Sequence, residues 1–302
     1  MNESPACKLC GSQTEHIGDK WGSWKKISFR LQRCRDCRYA FVADPWTDFA
    51  AIYSDPYYDG KGADPLVDYH FELDYPDQTI RLYEWRGILR LIQSLVPLGP
   101  QTHWLDFGCG NGGLVRYCSS RADCRIAGFE EGAVKHRAAR LGIPLIEEKD
   151  LDRLAGTFDI VTAIEVFEHV ENPLDVLRRI RALLKPGGLL FYTTGNAHPH
   201  RENLIRWSYV IPEIHISFYE PETLRRALEA AGFLPEYRGY LPGYTDILRF
   251  KILKNLRVRR RAAWEQALPW SVVARLVNAY ARVTGLPIAW AGGDQYRNAR
   301  LS

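Results

Sequence analysis

Several residues in the first half of the chain combine side-chain types and spacings that suit chemistry. Asp106 ends a short apolar run and precedes a glycine-rich turn, Gly108-Cys109-Gly110-Asn111-Gly112-Gly113. Glycines let the backbone bend sharply and let a ligand approach where a Cβ atom would clash. The free N–H groups at the start of the following helix then face that ligand. The pattern therefore predicts a nucleotide-like ligand at this turn.

The glycine spacing alone fits two kinds of ligand. Gly108-x-Gly110-x-x-Gly113 fits the dinucleotide fingerprint, and the same residues fit a shorter Gly-x-Gly-x-Gly turn. In both cases an acid at the end of the second strand holds a ribose hydroxyl, and Glu130 is placed for this. Asp106 distinguishes the two, because a carboxylate at the first glycine would repel a pyrophosphate. It would attract a ligand that carries an ammonium and a sulfonium.

Four cysteines near the N-terminus have the spacing of a metal site, Cys7-x2-Cys10 and Cys34-x2-Cys37. Two such pairs can bring four thiolates together in a tetrahedron around Zn2+. The apolar and aromatic residues between the pairs suggest a small β-ribbon. An iron site and a dithiol redox pair are the alternatives, and no neighbouring βαβ pattern supports the redox pair. We predict a structural zinc ion with these four cysteines as ligands.

Two histidines are the candidate catalytic bases. His169 follows the apolar run FDIVTAI, at the carboxyl edge where open α/β sheets bind ligands. It either orients that turn or takes part in catalysis. His215 follows the next strand, in the region expected to cover the substrate, and is either a base or a structural residue.

Composition limits the class of protein. The 302 residues are 46% hydrophobic and 25% charged, with a net charge of +4, which is ordinary for a globular protein and excludes a polycation. The N-terminus lacks the apolar segment of a signal peptide, and the sequence contains no run of about 18 apolar residues. These features predict a cytoplasmic protein, in which paired cysteines favour metal over disulfides.

The elements that position these residues alternate between strands and helices. A helix is predicted over residues 78–96, and a well-signalled one begins at Asn172 and runs to Lys185. Three further helices are predicted. One follows the glycine turn, one follows Glu131 and ends at Leu141, and one runs from Pro221 to Ala231. Strands are predicted at Trp104-Leu105, Arg125–Glu130, Ile143–Glu147, Phe158–Ile164, Leu189–Thr194, Phe233–Tyr240 and Gln295–Leu301. This alternation predicts an α/β fold with a parallel sheet and right-handed crossovers.

Four segments follow from this reading. Residues 1–43 form a zinc-ribbon-like module, and residues 44–77 form a loop-rich linker or lid. In that linker Tyr57 and Tyr58 either pack between modules or close over a ligand. Residues 78–240 form the ligand-binding core. Residues 241–302 form a basic, amphipathic helical extension that contains Trp270 and Trp290, with a last edge strand.

Four stretches together carry a family resemblance. WLDFGCGNGG, GFEEG, FDIVTAIEVFEHVENP and LLKPGGLLFYTT resemble the successive motifs of class I S-adenosylmethionine-dependent methyltransferases, over residues 104 to 240. The resemblance implies S-adenosyl-L-methionine as cofactor and a seven-stranded Rossmann-like sheet with helices on both faces and an antiparallel last strand. It implies methionine contacts from Asp106, Gly108, Gly110 and Gly112. It also implies ribose contact from Glu130, adenine contact from Asp150 and Leu151, and Glu165 and Val166 beside the cofactor.

The N-terminal stretches CKLCG, RCRDCRYAFV and DPYYDG are similar to bacterial methyltransferases with an N-terminal zinc-binding region. Several of those modify sugars, polysaccharides or natural products. The segment around His215 also resembles the His-x-Ser-Phe part of a segment in sugar C-methyltransferases, where that histidine is implicated in base chemistry. The Glu-His pair that precedes it there is absent, since Ile214 stands before His215.

These features predict a zinc-containing methyltransferase that acts by SN2 transfer to oxygen or carbon of a small-molecule or saccharide-like acceptor. An rRNA or tRNA methyltransferase is the second hypothesis. A nicotinamide-dependent reductase and a catalytically dead cofactor-binding protein are more distant. The basic stretch Lys251–Arg261 is interpreted as a solvated helix face, an RNA contact, or a contact with an anionic membrane or lipid-linked acceptor through residues 249–290.

Overall fold

The computed structural model describes residues 5–53, 55–59, 61, 68–237, 242–284 and 297–301. Its strands are β1 (Thr14–Trp21), β2 (Ser28–Cys34), β3 (Ala40–Val42), β4 (His103–Phe107), β5 (Arg125–Phe129), β6 (Leu145–Ile146), β7 (Phe158–Ile164), β8 (Leu184–Thr193), β9 (Ser217–Phe218), β10 (Phe233–Tyr237) and β11 (Arg297–Leu301). Its helices are α1 (Phe49–Ile52), α2 (Asp55–Tyr58), α3 (Tyr69–Asp74), α4 (Arg81–Leu95), α5 (Gly113–Ser119), α6 (Lys135–Arg140), α7 (Glu148–Leu151), α8 (Pro173–Leu183), α9 (Pro221–Ala230), α10 (Tyr244–Asn255), α11 (Ala263–Gln266) and α12 (Trp270–Thr284).

The main sheet has the strand order β10-β11-β8-β7-β4-β5-β6. Strands β8, β7, β4, β5 and β6 run parallel, whereas β11 is antiparallel to both of its neighbours. The five parallel strands and their crossover helices confirm the predicted Rossmann-like α/β fold. Because every crossover returns to the same edge, the carboxyl ends of β4, β5 and β7 meet there.

Two apolar cores lie on opposite faces of this sheet. Successive strand residues point to opposite faces, and the neighbours Ile160 and Val161 of β7 accordingly belong to different cores. Side chains of α8 and α9 cover one face, and side chains of α4, α5 and α10 cover the other. This two-sided burial explains why β7 reads as a continuous apolar run.

Helix α8 ends earlier than the sequence suggested. Asn172 occupies the predicted N-cap position, and Pro173 the first turn. The predicted helix to Lys185 and strand from Leu189 are wrong by a few residues, because Leu184 already pairs with Phe158 of β7. The next pair of that ladder is Ile160 with Leu189, so residues 185–188 bulge out of the strand. The proline and glycines therefore shape a bulge within β8 rather than a stop between two elements.

Other predicted boundaries shift by a few residues. Strand β6 is shorter than predicted, and β5 ends at Phe129, so Glu130 is the first residue after it. Strand β10 ends at Tyr237, and the predicted continuation over 238–240 lies outside the described residues, as does Trp290. The linker contains three short helices, α1 to α3, where loops were predicted.

The N-terminal residues form an antiparallel ribbon that joins the rest of the chain. Strand β2 pairs with β1 and β3, and β3 pairs with β9, which comes from a distant part of the sequence. The side chains of Cys7, Cys34 and Cys37 pack in the same core as α8 and α9. The ribbon is thus continuous with the main domain in both its sheet and its core.

Helices α10 to α12 lie in the sequence between the strands β10 and β11. The prediction of the last strand as an edge strand was wrong, because β11 lies between β10 and β8 and β10 forms the edge. The interpretation of the basic stretch Lys251–Arg261 as a solvated helix face was wrong for its first residue, Lys251. Arg249 is buried and pairs with Glu265, and Lys251 is largely buried and pairs with Glu165. The guanidinium and ammonium groups turn inward because each pairs with a carboxylate there, the buried one of Glu265 and the partly buried one of Glu165. Across the residues that the structure describes, no helix is long and apolar enough to span a membrane.

Candidate active site

The glycine turn lies at the carboxyl end of β4 and is folded tightly against the neighbouring strand ends. The N–H groups of Gly108 and Cys109 both donate to the carbonyl oxygen of Phe129, at 2.8 and 2.9 Å. Gly108 has a φ of 71°, and a Cβ atom there would lie 2.6 Å from a methyl group of Val166. Gly110 has a φ of 56°. The turn therefore requires glycine for both conformation and space, and it leaves an open cradle above the start of α5.

Glu130 is fixed to this turn by both of its carboxylate oxygens. Oε2 accepts a hydrogen bond from the N–H of Gly110 at 2.8 Å, and Oε1 accepts one from the N–H of Gly132 at 2.6 Å. Burial raises the pKa of Glu130, although the two N–H donors act in the opposite direction. Each carboxylate oxygen has a second lone pair, so the same group can accept hydrogen bonds from ligand hydroxyls.

Asp106 lies at the base of the cradle and is only 3% exposed. Its carboxylate accepts a hydrogen bond from the hydroxyl of Thr162 at 2.7 Å. Burial raises its pKa to about 7, and the negative charge of Glu130 adds to the effect. A cationic ligand group beside Asp106 would favour the ionised carboxylate, whereas a phosphate group there would oppose it.

This burial gives a testable pH dependence for the cofactor-free protein. The pKa of Asp106 in the folded chain, about 7, exceeds its ordinary value of 3.8, so ionisation opposes folding. The cost is absent below pH 4, grows as the pH rises and is complete above pH 7. At pH 8 we expect Asp106→Asn to unfold at a higher urea concentration than the parent. Its free energy of unfolding should exceed that of the parent by at most about 4 kcal/mol. The gain should vanish near pH 4, and equal gains at both pH values would contradict the assignment.

A single cavity of about 1530 Å3 connects the glycine turn with the other predicted site residues. Glu165, Val166, His169 and His215 line it, together with Asp106, Gly108, Gly110 and Glu130. The linker residues Tyr57 and Tyr58 are buried and line the same cavity. The structure therefore brings most of the predicted cofactor residues and both candidate bases to one space.

Three predicted cofactor residues are not among the described residues that line the cavity. Gly112 is the N-cap of α5, and a Cβ atom on it would lie 2.9 Å from a methyl group of Ile143. Asp150 lies in α7 and pairs with Arg153, and Leu151 is fully buried in the core. The geometry gives Gly112 and Leu151 packing roles, and the predicted adenine contact of the Asp150–Leu151 pair stays a prediction.

His169 and His215 lie side by side, with ring centroids 5.0 Å apart. Nδ1 of His169 lies 2.8 Å from the carbonyl oxygen of Ile214, and Nδ1 of His215 lies 2.6 Å from that of Tyr209. Because a carbonyl oxygen can only accept, each Nδ1 carries a proton and donates it. In the neutral ring the lone pair is then on Nε2.

Glu165 and Glu168 differ in charge environment although they are three residues apart. Burial would raise the pKa of Glu165, but Lys251 and Lys254 outweigh it and lower the pKa to about 2. Burial and the charge of Glu165 raise the pKa of Glu168 to about 8. Glu165 also has a φ of 55°, a left-handed conformation that is strained for a residue with a side chain.

Sequence reasoning missed two residues of this region. The hydroxyl of Tyr209 donates to Oε1 of Glu168 at 2.5 Å, and Nζ of Lys251 lies 3.2 Å from Oε1 of Glu165. The aromatic cluster Trp207-Ser208-Tyr209 ahead of His215 was a usable signal. No sequence signal distinguished Lys251, because a lysine within a run of basic residues looks like any solvated lysine.

The four N-terminal cysteines converge as predicted. Their sulfur atoms all lie within 4.8 Å of one another, with 3.5 Å from Cys7 to Cys37 and from Cys10 to Cys34. These separations are far longer than a disulfide bond and suit four thiolates around one Zn2+. Residue 38 takes the left-handed conformation that Gly11 takes in the first knuckle, with a φ of 60°. Arg38 is held there by Glu220, to which its Nε donates at 2.7 Å.

Comparison with known proteins identifies a methyltransferase family. The family model described as a methyltransferase domain matches residues 78–236. The ubiquinone biosynthesis O-methyltransferase of Aeromonas salmonicida is 32% identical over 172 residues, which cover 51% of this chain and 72% of that protein. The enzyme of the same name from Ralstonia nicotianae is 33% identical over 154 residues, covering 47% of this chain and 64% of that protein. The match to the corresponding protein of Erwinia tasmaniensis covers only 42% of that protein.

Among solved structures, the phospholethanolamine N-methyltransferase 2 of Haemonchus contortus has the same fold. That structure contains phosphomonomethylethanolamine and S-adenosylhomocysteine. The TM-score is 0.51 and the identity 15%, over 95% of this chain and 71% of that one. At this identity the likeness concerns the fold alone.

Proposed function

The chain belongs to the S-adenosylmethionine-dependent methyltransferases, and we propose that it methylates a hydroxyl oxygen on a small, ring-bearing acceptor. One observation carries the proposal: the glycine turn and the histidine pair line the same cavity. The rings of Trp207 and Tyr209, which are stacked 4.7 Å apart at its wall, support a flat ring or a saccharide ring as acceptor. The names of the relatives support oxygen as the accepting atom.

The residues of the cradle fit the methyl donor. S-adenosylmethionine supplies an electrophilic methyl group on a sulfonium when it is bound. We propose that Asp106, Gly108 and Gly110 hold its methionine part, because a buried carboxylate there can neutralise an ammonium. Glu130 then accepts hydrogen bonds from the ribose hydroxyls, and Val166 and Glu165 lie beside the donor.

The acceptor hydroxyl has to lose its proton, to a base of the cavity or to solvent, as its oxygen attacks. An oxygen lone pair forms the new bond to the methyl carbon, and the carbon–sulfur bond breaks with its electron pair moving to sulfur. Alignment of the two reactants in a closed cavity supplies much of the rate. We propose that His215 and His169 activate the acceptor hydroxyl, since both rings face the cavity with Nε2 as the lone-pair atom.

The test is methyl transfer from S-adenosylmethionine with a labelled methyl group to a panel of phenols, catechols and sugars. We expect label in an alkali-stable methyl ether, and His215→Asn should lower turnover by about 100-fold or more with little change in S-adenosylhomocysteine affinity. The matched control is His198→Asn, a half-exposed histidine that pairs with Glu220. Equal turnover in His215→Asn and the parent would contradict the activating role, and label in RNA instead would favour the second hypothesis.

We also propose a structural zinc ion at the four cysteines, bound by Cys7, Cys10, Cys34 and Cys37. Its support is the spacing of the sulfur atoms and the backbone N–H groups of Leu9 and Cys37, which point at the sulfurs of Cys7 and Cys34. The division of the chain into four segments, with boundaries after residues 43, 77 and 240, stays a proposal. The ribbon of β1 to β3 is the segment that zinc would hold together.

Contact with a membrane or a lipid-linked acceptor through residues 249–290 stays a prediction. Its support is an apolar stripe on α12, where Val272, Leu276, Tyr280 and Val283 are exposed. Arg257, Arg259 and Arg260 are exposed nearby in sequence. An apolar stripe beside basic residues suits an anionic membrane surface better than RNA. Proteins that bind single-stranded RNA place aromatic side chains for base stacking beside their basic groups.

A further inference from the structure

Glu168, His169 and His215 form a cluster that cofactor binding does not account for. One ligand atom from each of the three residues lies within 4.8 Å of the others. Glu168 and His169 belong to the single helical turn after β7, and His215 comes from the segment between β8 and β9. The cluster lies in the wall of the cavity. Two remote parts of the chain therefore deliver a carboxylate and two imidazoles to one point.

The two imidazoles are held as metal-ligating histidines usually are. Each donates its Nδ1 proton to a backbone carbonyl oxygen, His169 to Ile214 and His215 to Tyr209. Such a hydrogen bond fixes the ring orientation and the tautomer, and it makes Nε2 the basic atom. The carbonyl partners belong to the short segment 209–215, so the segment that carries His215 also orients His169.

The burial of Glu168 gives an independent reason for a cation. The side chain is 1% exposed. Its oxygens accept hydrogen bonds from the hydroxyls of Tyr209 and Thr194, at 2.5 and 2.8 Å. Within the described ranges no lysine or arginine forms an ion pair with Glu168, whereas the neighbouring Glu165 has Lys251. A buried carboxylate with hydrogen bonds but no cation is costly, and a bound metal ion would remove that cost.

We propose that Glu168, His169 and His215 bind one divalent transition-metal ion at the acceptor side of the cavity. Two imidazole nitrogens and one carboxylate oxygen suit Zn2+, Mn2+, Fe2+ or Co2+, and they suit Mg2+ and Ca2+ poorly. Three protein ligands leave coordination positions open, as catalytic rather than structural metal sites do. This site is separate from the four cysteines, which lie in the N-terminal ribbon.

The metal deepens the proposed methyl transfer and rests on it for its role. An acceptor hydroxyl that coordinates the ion has a lowered pKa and releases its proton to solvent. The oxygen lone pair then forms the bond to the methyl carbon as the carbon–sulfur bond breaks onto sulfur, which yields a methyl ether and S-adenosylhomocysteine. His169 and His215 activate the acceptor through the ion, and an acceptor with two neighbouring hydroxyls would bind it with both.

The experiment counts metal in the full chain without donor or acceptor. The protein is dialysed against EDTA, its zinc is counted by elemental analysis, and Mn2+ is titrated while the signal of free Mn2+ is followed by electron paramagnetic resonance. Mn2+ is chosen because thiolates bind it poorly, so the cysteine cluster does not compete. We expect one metal per chain beyond the thiol-bound zinc, as bound Mn2+ or as a second zinc that resisted dialysis.

Three variants make the result specific. Glu168→Gln and His215→Asn should weaken this metal at least 100-fold, and His198→Asn should bind it as the parent does. Circular dichroism and S-adenosylhomocysteine binding report whether the variants are folded. A parent that holds no metal beyond the thiol-bound zinc, or variants that bind as well as the parent, would overturn the site. Failure of the parent to bind S-adenosylhomocysteine would instead overturn the proposed function and leave the metal count readable.

Discussion

Glu130→Ala is expected to weaken the binding of S-adenosylhomocysteine by about 100-fold or more while the chain stays folded. Glu130 has two roles in the proposed site: it accepts the ribose hydroxyls, and it holds the N–H groups of Gly110 and Gly132 in the cradle. A hydrogen bond to a charged group contributes about 1.5–3 kcal/mol, so the loss of two such bonds corresponds to a factor of about 100 or more. Titration calorimetry measures the change directly.

Two further variants separate the roles of this carboxylate. Glu131→Gln changes the neighbouring acid, whose side chain is exposed, and should keep the affinity within about threefold. Glu130→Gln keeps the size of the side chain and one acceptor oxygen, so its affinity should fall between that of Glu130→Ala and the parent. An unchanged affinity in Glu130→Ala would show that the ribose is held elsewhere.

Cys34→Ser is expected to remove the thiol-bound zinc and to lower the stability of the whole chain. The sulfur of Cys34 is buried, and the three buried cysteines pack with Phe41 and Tyr39 in the core that α8 and α9 share. Zinc binding contributes about 10–16 kcal/mol to the folding of small zinc modules, so its loss should unfold the ribbon. Because β3 pairs with β9, the damage should extend to the segment that carries His215.

Zinc released by a mercurial thiol reagent, together with the melting temperature, measures this effect. The parent should release about one zinc per chain and Cys34→Ser close to none, with a melting temperature lower by 5 °C or more. Cys124→Ser is the matched control, since Cys124 lies outside the cluster, and it should keep its zinc. The same zinc content in both variants would rule out the cysteine site.

Local chemistry made much of the fold and the geometry of the glycine turn predictable. The glycine turn, Asp106 and Glu130 are close in sequence to the strands that hold them, and β7 shows its two-sided burial in its composition. The knuckle at Cys37 lacked the glycine that its geometry favours. There Arg38 adopts the left-handed conformation, and its guanidinium pairs with Glu220. That contact joins positions 182 residues apart, which no local pattern shows.

The acceptor side depended on such long-range contacts and was predicted less well. Sequence analysis identified two separate candidate bases. Their adjacency, and the hydrogen bond that each ring donates to a backbone carbonyl oxygen, arise only when the segment 209–215 packs against the turn after β7. A solvated face was one of three interpretations of the stretch that begins at Lys251, but Lys251 neutralises Glu165 from α10. Burial of a charge depends on a partner elsewhere in the chain, and a basic run does not reveal that partner.

The most direct test of the account is a calorimetric titration of the purified full chain with S-adenosylhomocysteine and, separately, with NADH. We predict one S-adenosylhomocysteine site per chain, with affinity lost in Glu130→Ala, and no heat of binding for NADH. Binding of NADH in place of S-adenosylhomocysteine would contradict the assignment of this glycine cradle to a methyl donor.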